Sequence, residues 1–234
     1  MKQFIFKFAV SILLAISMTG CSQKYQDVQD TMSLALFGYD DVALPPQQVT
    51  DLPYASMYAK VEGSAQAFLV LAYAEPVNGQ ENEKTRFQLK WLSANGEMLV
   101  TENGRIVKTV NLLNANLLGS YSDQPDPLAL GLLNESTPKQ WQRIVDWQPG
   151  NNFSIVLYSQ FENKGTQTIL VNDSPKETLY FVEHVHAPQI NARYQNHFWL
   201  NAASGDVVAS IQMPAPGFAA IETTVLKPFA GESK

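Results

Sequence analysis

From Phe68 onward apolar residues come in short runs or at every second position, the spacing of strands and not of helices. Phe68–Tyr73 is a continuous apolar run, as a strand buried on both faces would be, and Phe87-Gln88-Leu89-Lys90-Trp91-Leu92 alternates with period two. Asn95-Gly96 separates that segment from Met98–Thr101, and Asn103-Gly104 separates Met98–Thr101 from Arg105–Val110. Asn-Gly accepts the positive φ angles of a type I′ turn, so the two pairs predict a three-stranded meander.

A softer middle follows, in which Pro125-Asp126-Pro127 precedes Leu128–Leu133 as a short helix or a lid-like loop. Beyond Trp147 the strand pattern returns in Phe153–Phe161, Thr166–Val171 and Thr178–Glu183. His197–Leu200, a turn at Ser204-Gly205-Asp206, Val207–Met213 and Ile221–Leu226 continue it. Short strands with hairpin-length joints predict an all-β fold, an antiparallel β-barrel-like or sandwich architecture. Short helical segments belong near the N-terminus, where Met32–Phe37 closes a helix opened near Asp27 or Asp30. Pro45-Pro46 and Pro53 are read as chain breaks. With no long βα alternation, a Rossmann-type enzyme is excluded, and with no fixed-period repeat or dividing linker, residues 31–234 are expected to form a single β-rich domain.

The first thirty residues differ in kind. Lys2 and Lys7 flank a leader whose apolar stretch runs from Phe8 to Ile16 and ends in Ser17-Met18-Thr19-Gly20-Cys21. A basic segment, an apolar segment and a small-residue cleavage site make residues 1–20 a signal peptide. The apolar stretch falls short of the roughly 20 residues needed to span hydrocarbon. Cys21 directly after Gly20 resembles a lipobox, with Met18 where Leu is usual, and marks Cys21 for lipidation. Residues 21–30 are polar and form the lipidated tether. Ser22, where an Asp would retain a lipoprotein at the inner membrane, favours the outer membrane, facing the periplasm. Acyl chains contribute about 0.8 kcal/mol per buried CH₂, so an acylated Cys21 holds the chain firmly to membrane lipid.

Cys21 is the only cysteine of 234 residues, so acylation leaves no thiol for a disulfide, a metal or a nucleophile. Removing residues 1–20 takes away Lys2 and Lys7 and no acid, so the formal charge of −6 becomes −8. An acidic body does not attract nucleic acid, and an acidic glycan would need a local basic groove.

Candidate chemistry is sparse. His184 and His186, two apart on a strand, share a face, and His197 would be the third ligand of a metal site. The spacing demands little, solvated surface is the preferred reading, and no metal or cofactor is assigned. No Gly-x-Ser-x-Gly elbow occurs; Gly63-Ser64 and Gly119-Ser120 lack the second glycine. Asp123, Asp126, Glu135 and Asp146 are the carboxylates available for paired acid-base work, which depends on spatial separation. Asp40-Asp41 lacks the ligand spacing of an EF-hand and reads as a loop. Trp91, Trp141, Trp147 and Trp199 offer a sugar-stacking platform, although core or sheet packing is the commoner fate of such residues. No catalytic residue is assigned, and the chain is not read as an enzyme.

Several segments together resemble the YjbF/GfcB lipoproteins associated with group 4 capsule and exopolysaccharide operons. They are Leu52–Tyr58, Met98–Thr101 with Asn103-Gly104-Arg105 and Lys108-Thr109, Asp126-Pro127-Leu128, Phe198-Trp199 with Ala203-Ser204-Gly205, and Leu226-Lys227-Pro228. Their order and spacing, from the lipobox to near the C-terminus, carry the resemblance. It implies a β-barrel-like fold, outer-membrane attachment and a non-enzymatic accessory part in producing or exporting capsule or exopolysaccharide. Envelope polysaccharide-export proteins, including an outer-membrane β-barrel, are the implied partners, with polysaccharide a further one. The other reading is a glycan- or lipid-binding envelope module. The resemblance transfers no catalytic residues, and His184 and His186 are not part of it.

Overall fold

The computed structural model describes residues 41–77 and 86–231. Cys21, the leader, the tether and the predicted helix ending at Phe37 lie outside them. The strands are β1 Ser56–Val61, β2 Ala67–Val77, β3 Arg86–Leu92, β4 Met98–Glu102, β5 Arg105–Val110 and β6 Asn116–Tyr121. They continue as β7 Gln140–Gln148, β8 Asn152–Val171, β9 Ser174–Ala187, β10 Ala192–Asn201, β11 Val207–Gln212 and β12 Ile221–Lys227. Two short helices, α1 Pro46–Asp51 and α2 Pro127–Leu130, and a 3₁₀ turn at Pro188–Ile190 complete the described elements.

All twelve strands belong to one antiparallel sheet, ordered β5-β4-β3-β2-β1-β12-β11-β10-β9-β8-β7-β6. Every consecutive pair is laddered except β5 and β6, and the sheet passes from β1 directly to β12. The two ends of that order meet again: Leu117 N on β6 donates to Thr109 Oγ1 on β5 at 2.9 Å, and Leu112 N donates to Asn116 Oδ1 at 3.0 Å. The result is a nearly closed barrel with one seam, sealed by side chains where a ladder is missing. The barrel form of the expected architecture is the one adopted, and the sandwich is not.

Closure requires the strands to bend, and register shifts supply the bends. They include those between Leu71 and Tyr73 in β2, Val145 and Trp147 in β7, and Asn163 and Thr166 in β8. At the last of these Gly165 has φ +89°, so the two strands predicted at Phe153–Phe161 and Thr166–Val171 are one bent strand of 20 residues. Its hairpin partner β9 begins earlier than expected, at Ser174, across an Asn172-Asp173 turn with φ of 49° and 63°.

The predicted meander of β3, β4 and β5 is present, and its turns differ from each other. Asn103 and Gly104, with φ of 47° and 82°, form the expected two-residue type I′ loop. At Asn95-Gly96 only Gly96 has positive φ, at 84°. That loop runs from Ser93 to Glu97, with Ser93 N donating to Glu97 O at 3.0 Å, a longer connection than Asn-Gly alone suggests. Pro46 opens α1 instead of breaking the chain, because proline at the first helical position loses only an N–H that has no intrahelical partner.

The barrel interior is packed. One apolar layer gathers Met57, Leu69, Leu89, Trp91, Leu99 and Ile221, and a second holds Leu117, Val145, Leu157 and Val185. Phe161, Phe181, Phe198 and Leu200 form a third beneath Leu128 of α2. Burying each of these large side chains contributes about 1.5–3 kcal/mol. On the outer side of β1 and β2, Tyr58, Phe68 and Val70 pack with Leu52, and Leu44 N donates to Tyr58 Oη at 2.6 Å.

Candidate functional site

Between the apolar layers lies a buried polar belt centred on Glu183. In β9 the side chains of Phe181, Glu183 and Val185 all point inward, so the strand's alternation puts a carboxylate in the core. Its burial is complete, and both oxygens are used twice. Oε1 accepts from Arg143 Nη1 at 2.7 Å and from Ser159 Oγ at 2.6 Å. Oε2 accepts from Arg105 Nη1 at 2.9 Å and from Asn196 Nδ2 at 2.8 Å. Burial alone pushes this carboxyl up, but the Arg105 and Arg143 guanidiniums, with the Ser159 and Asn196 bonds, outweigh it and hold the group well below the ordinary carboxylate range. Arg105 also pairs with Asp126, whose Oδ1 caps α2 by accepting from Leu128 N at 2.9 Å. Both guanidiniums lie against the Trp141 ring, 4.7 Å and 5.0 Å from its centroid.

This belt also seals the seam. Gln212 on β11 presents its amide to the free edge of β5: Ile106 N donates to Oε1 at 3.1 Å, and Nε2 donates to Gly104 O at 2.8 Å. One side-chain amide thus makes the donor and acceptor contacts of a missing strand, satisfying an edge that would otherwise be open. A carboxylate whose acceptor sites are all filled is a structural lock and offers no site for proton transfer to a substrate.

The carboxylates singled out from sequence do not converge on a cleft. Asp126 is committed to Arg105 and α2, and Asp146 accepts from Ser154 N at 2.6 Å. Asp123 and Glu135 are exposed. Asp41 pairs with Lys60 at 2.9 Å and accepts from Gln66 N, a loop role as expected. Three of the four tryptophans, Trp91, Trp141 and Trp147, are core residues. Trp199 alone faces outward, stacked on Tyr180 with centroids 5.1 Å apart, so the four do not make one sugar platform.

His184 and His186 share the outer face of β9, as their spacing predicts. His184 is engaged at both ring nitrogens, with Glu162 Oε2 at 3.1 Å and Gln195 Nε2 at 3.2 Å. His197 meets the Tyr180 hydroxyl through Nδ1 at 2.6 Å, and burial holds its ring below the usual histidine range. Among the described residues no group of three or more His, Cys, Asp or Glu side chains is placed to hold a metal ion.

The outer face of β7–β10 carries the more distinctive arrangement. Cross-strand register sets Gln142, Tyr158, His186 and Arg193 in one row, and Gln140, Gln160, His184 and Gln195 in the next. The rows floor an open groove of about 740 Å³ lined by no carboxylate.

Arg105 entered the sequence reading only through Asn103-Gly104-Arg105 and without a role, and Arg143, Glu183 and this groove were not singled out. A signal for the belt is present in Trp141-x-Arg143-x-Val145-x-Trp147, where an arginine occupies the apolar register of a strand.

The fold and its two polar features define the class, a nearly closed antiparallel β-barrel with a locked interior and a patterned exterior. The chain belongs to the YjbF family, described as group 4 capsule polysaccharide lipoprotein, whose model matches residues 29–226. It is 36% identical over 219 residues to the uncharacterized lipoprotein GfcB of Escherichia coli K12, covering 92% of this chain and 96% of that protein. It is 29% identical over 224 residues to the uncharacterized lipoprotein YjbF of the same organism, covering 92% and 95%. The crystal structure of the hypothetical lipoprotein YmcC from Escherichia coli K12 superposes with a TM-score of 0.70 at 31% identity, covering 91% of this chain and 98% of that one. The chain is therefore a capsule-associated lipoprotein by family.

Proposed function

We propose that the mature protein begins at Cys21, is acylated there, and is held at the outer membrane facing the periplasm. In that position it acts without catalysis as an accessory factor in producing or exporting capsule or exopolysaccharide, docking with export proteins that include an outer-membrane β-barrel. The lipobox supports the anchor, and Ser22 supports the membrane. The observation that carries the non-catalytic reading is the belt around Glu183: the one deeply buried carboxylate among the described residues has every oxygen committed, while the polar pattern of β7–β10 is presented outward.

The test is co-purification of the lipidated protein from its native envelope, beside Cys21→Ser and a deletion strain. The expected results are an outer-membrane barrel in the eluate, loss of membrane fractionation in Cys21→Ser, and reduced secreted polysaccharide in the deletion. Unchanged secretion after deletion would overturn the accessory role.

A further inference from the structure

We propose that the outer groove of β7–β10 is a binding site for an extended acidic polysaccharide segment, with Arg193 receiving a sugar carboxylate and Tyr158 receiving a ring face. This rests on the polysaccharide role proposed above and assigns it a place on the molecule.

The groove differs in charge from the rest of the chain. The chain carries 22 acidic against 16 basic residues, yet the groove is lined by Arg193, two histidines and five glutamines, and by no Asp or Glu. The nearest acid on this face is Glu162, which pairs with Lys164 at 2.7 Å and meets His184. Arg193 is exposed and makes no ion pair among the described residues, so its planar donor fork is available to a carboxylate, which it fits with two parallel bonds.

The groove also holds unspent hydrogen-bonding capacity. Among the described residues the side chains of Gln140, Gln142, Tyr158 and His186 make no hydrogen bond, in contrast to the fully paired Glu183 carboxylate beneath them. An amide offers a donor and an acceptor side by side, which matches neighbouring hydroxyls on a sugar ring. Tyr158 is 47% exposed in the middle of its row, a flat face at which C–H groups of a pyranose can pack.

Its shape suits an extended ligand. Four adjacent strands at about 4.8 Å spacing place the Gln142, Tyr158, His186 and Arg193 row across some 14 Å, the reach of a short oligosaccharide and not of a single small ion. The side chains of the two rows are amide, phenol, imidazole and guanidinium, with no aliphatic strip for an acyl chain, which disfavours a lipid occupant.

The experiment titrates the full-length lipidated protein in neutral detergent with oligogalacturonate, with neutral malto-oligosaccharide of equal length, and with phosphatidylglycerol vesicles. Arg193→Gln, Tyr158→Ala and the distant surface control Tyr73→Ala are compared. Saturable oligogalacturonate binding that weakens about tenfold in Arg193→Gln and in Tyr158→Ala, but not in Tyr73→Ala, is the expected result. Absence of saturable oligogalacturonate binding, binding indifferent to Arg193 and Tyr158, or Arg193-dependent binding to vesicles alone would each overturn the site. Secretion separates this from the broader reading. A deletion that lowers secreted polysaccharide but is fully rescued by the Arg193→Gln, Tyr158→Ala double variant removes the groove and keeps the accessory role. A deletion without effect removes that role.

Discussion

Arg105, at the start of the seam strand β5, crosses the barrel interior to Glu183 in the middle of β9, with Nη1 2.9 Å from Oε2. The contact ties together residues 78 apart in sequence and holds an edge strand against the far wall. Removing one member of such a set costs more than the set contributes, because the partners stay buried and charged. Glu183→Gln is expected to lower the unfolding free energy by about 3 kcal/mol, with Arg143 left without a counter-charge and Arg105 with Asp126 alone. Urea unfolding followed by tryptophan fluorescence reads the loss, and a midpoint equal to wild type would show that the lock is dispensable.

The same carboxylate sets an acid limit. Its folded pKa lies below the ordinary value of 4.5, so the unfolded chain takes up the proton first. The stabilisation is complete above 4.5 and is lost as pH falls from there toward the folded value. Urea midpoints measured from pH 7 down to pH 3 should drop below about pH 5 in wild type, and Glu183→Gln should show a flatter profile. Parallel profiles would assign the acid sensitivity to other carboxylates.

Gln212 is expected to protect a single amide. Gln212→Leu preserves bulk but removes the acceptor of Ile106 N and the donor to Gly104 O, leaving two edge groups of β5 unpaired at about 1–3 kcal/mol each. Hydrogen exchange at Ile106 should accelerate far more than at Leu99 in the adjacent laddered strand. Equal acceleration at both would indicate global destabilisation and not an opened seam.

Gly104 has two independent reasons to remain glycine. Its φ is +82°, and an added Cβ would sit 2.4 Å from Val207 Cβ on β11. Gly104→Ala should therefore lose stability beyond the roughly 1 kcal/mol of a left-handed backbone alone. Gly96→Ala, at φ +84° in open space, is the matched control and should lose only the backbone part. Equal losses would mean that the approach of the β4–β5 turn to β11 is not tight.

How much of this was legible depended on whether a strand followed the simple alternation. The β3–β5 meander, the β10–β12 strands and the outward pairing of His184 with His186 follow from period two and turn chemistry. Strand β7 was hidden because Arg143 points inward and Ile144, 37% exposed, points outward, inverting the expected pattern. Strand β6 contains Gly119, and its inward face is short, so it reads as loop. The inward arginine of Trp141-x-Arg143-x-Val145-x-Trp147 hinted at the belt, but its membership was illegible, because the ion pairs need partners from β5, β7 and β9 and sequence separation gives no sign of such a meeting. The groove was hidden for the same reason: its rows are built across four strands whose register only the closed sheet fixes.

The placement of the seam has a kinetic meaning. Strands β1–β5 and β6–β12 are each a plain meander of consecutive antiparallel strands, and the two meanders touch by ladder only along β1 and β12, from Ser56 opposite Lys227 to Val61 opposite Ile221. The Arg105–Glu183 contact and the Gln212 contacts to β5 join the two meanders a second time, through side chains, and work as a clasp. Local contacts form early and distant ones late, so each half can assemble before the bracelet shuts. Substitutions at the clasp should then speed unfolding while leaving the folding rate almost unchanged.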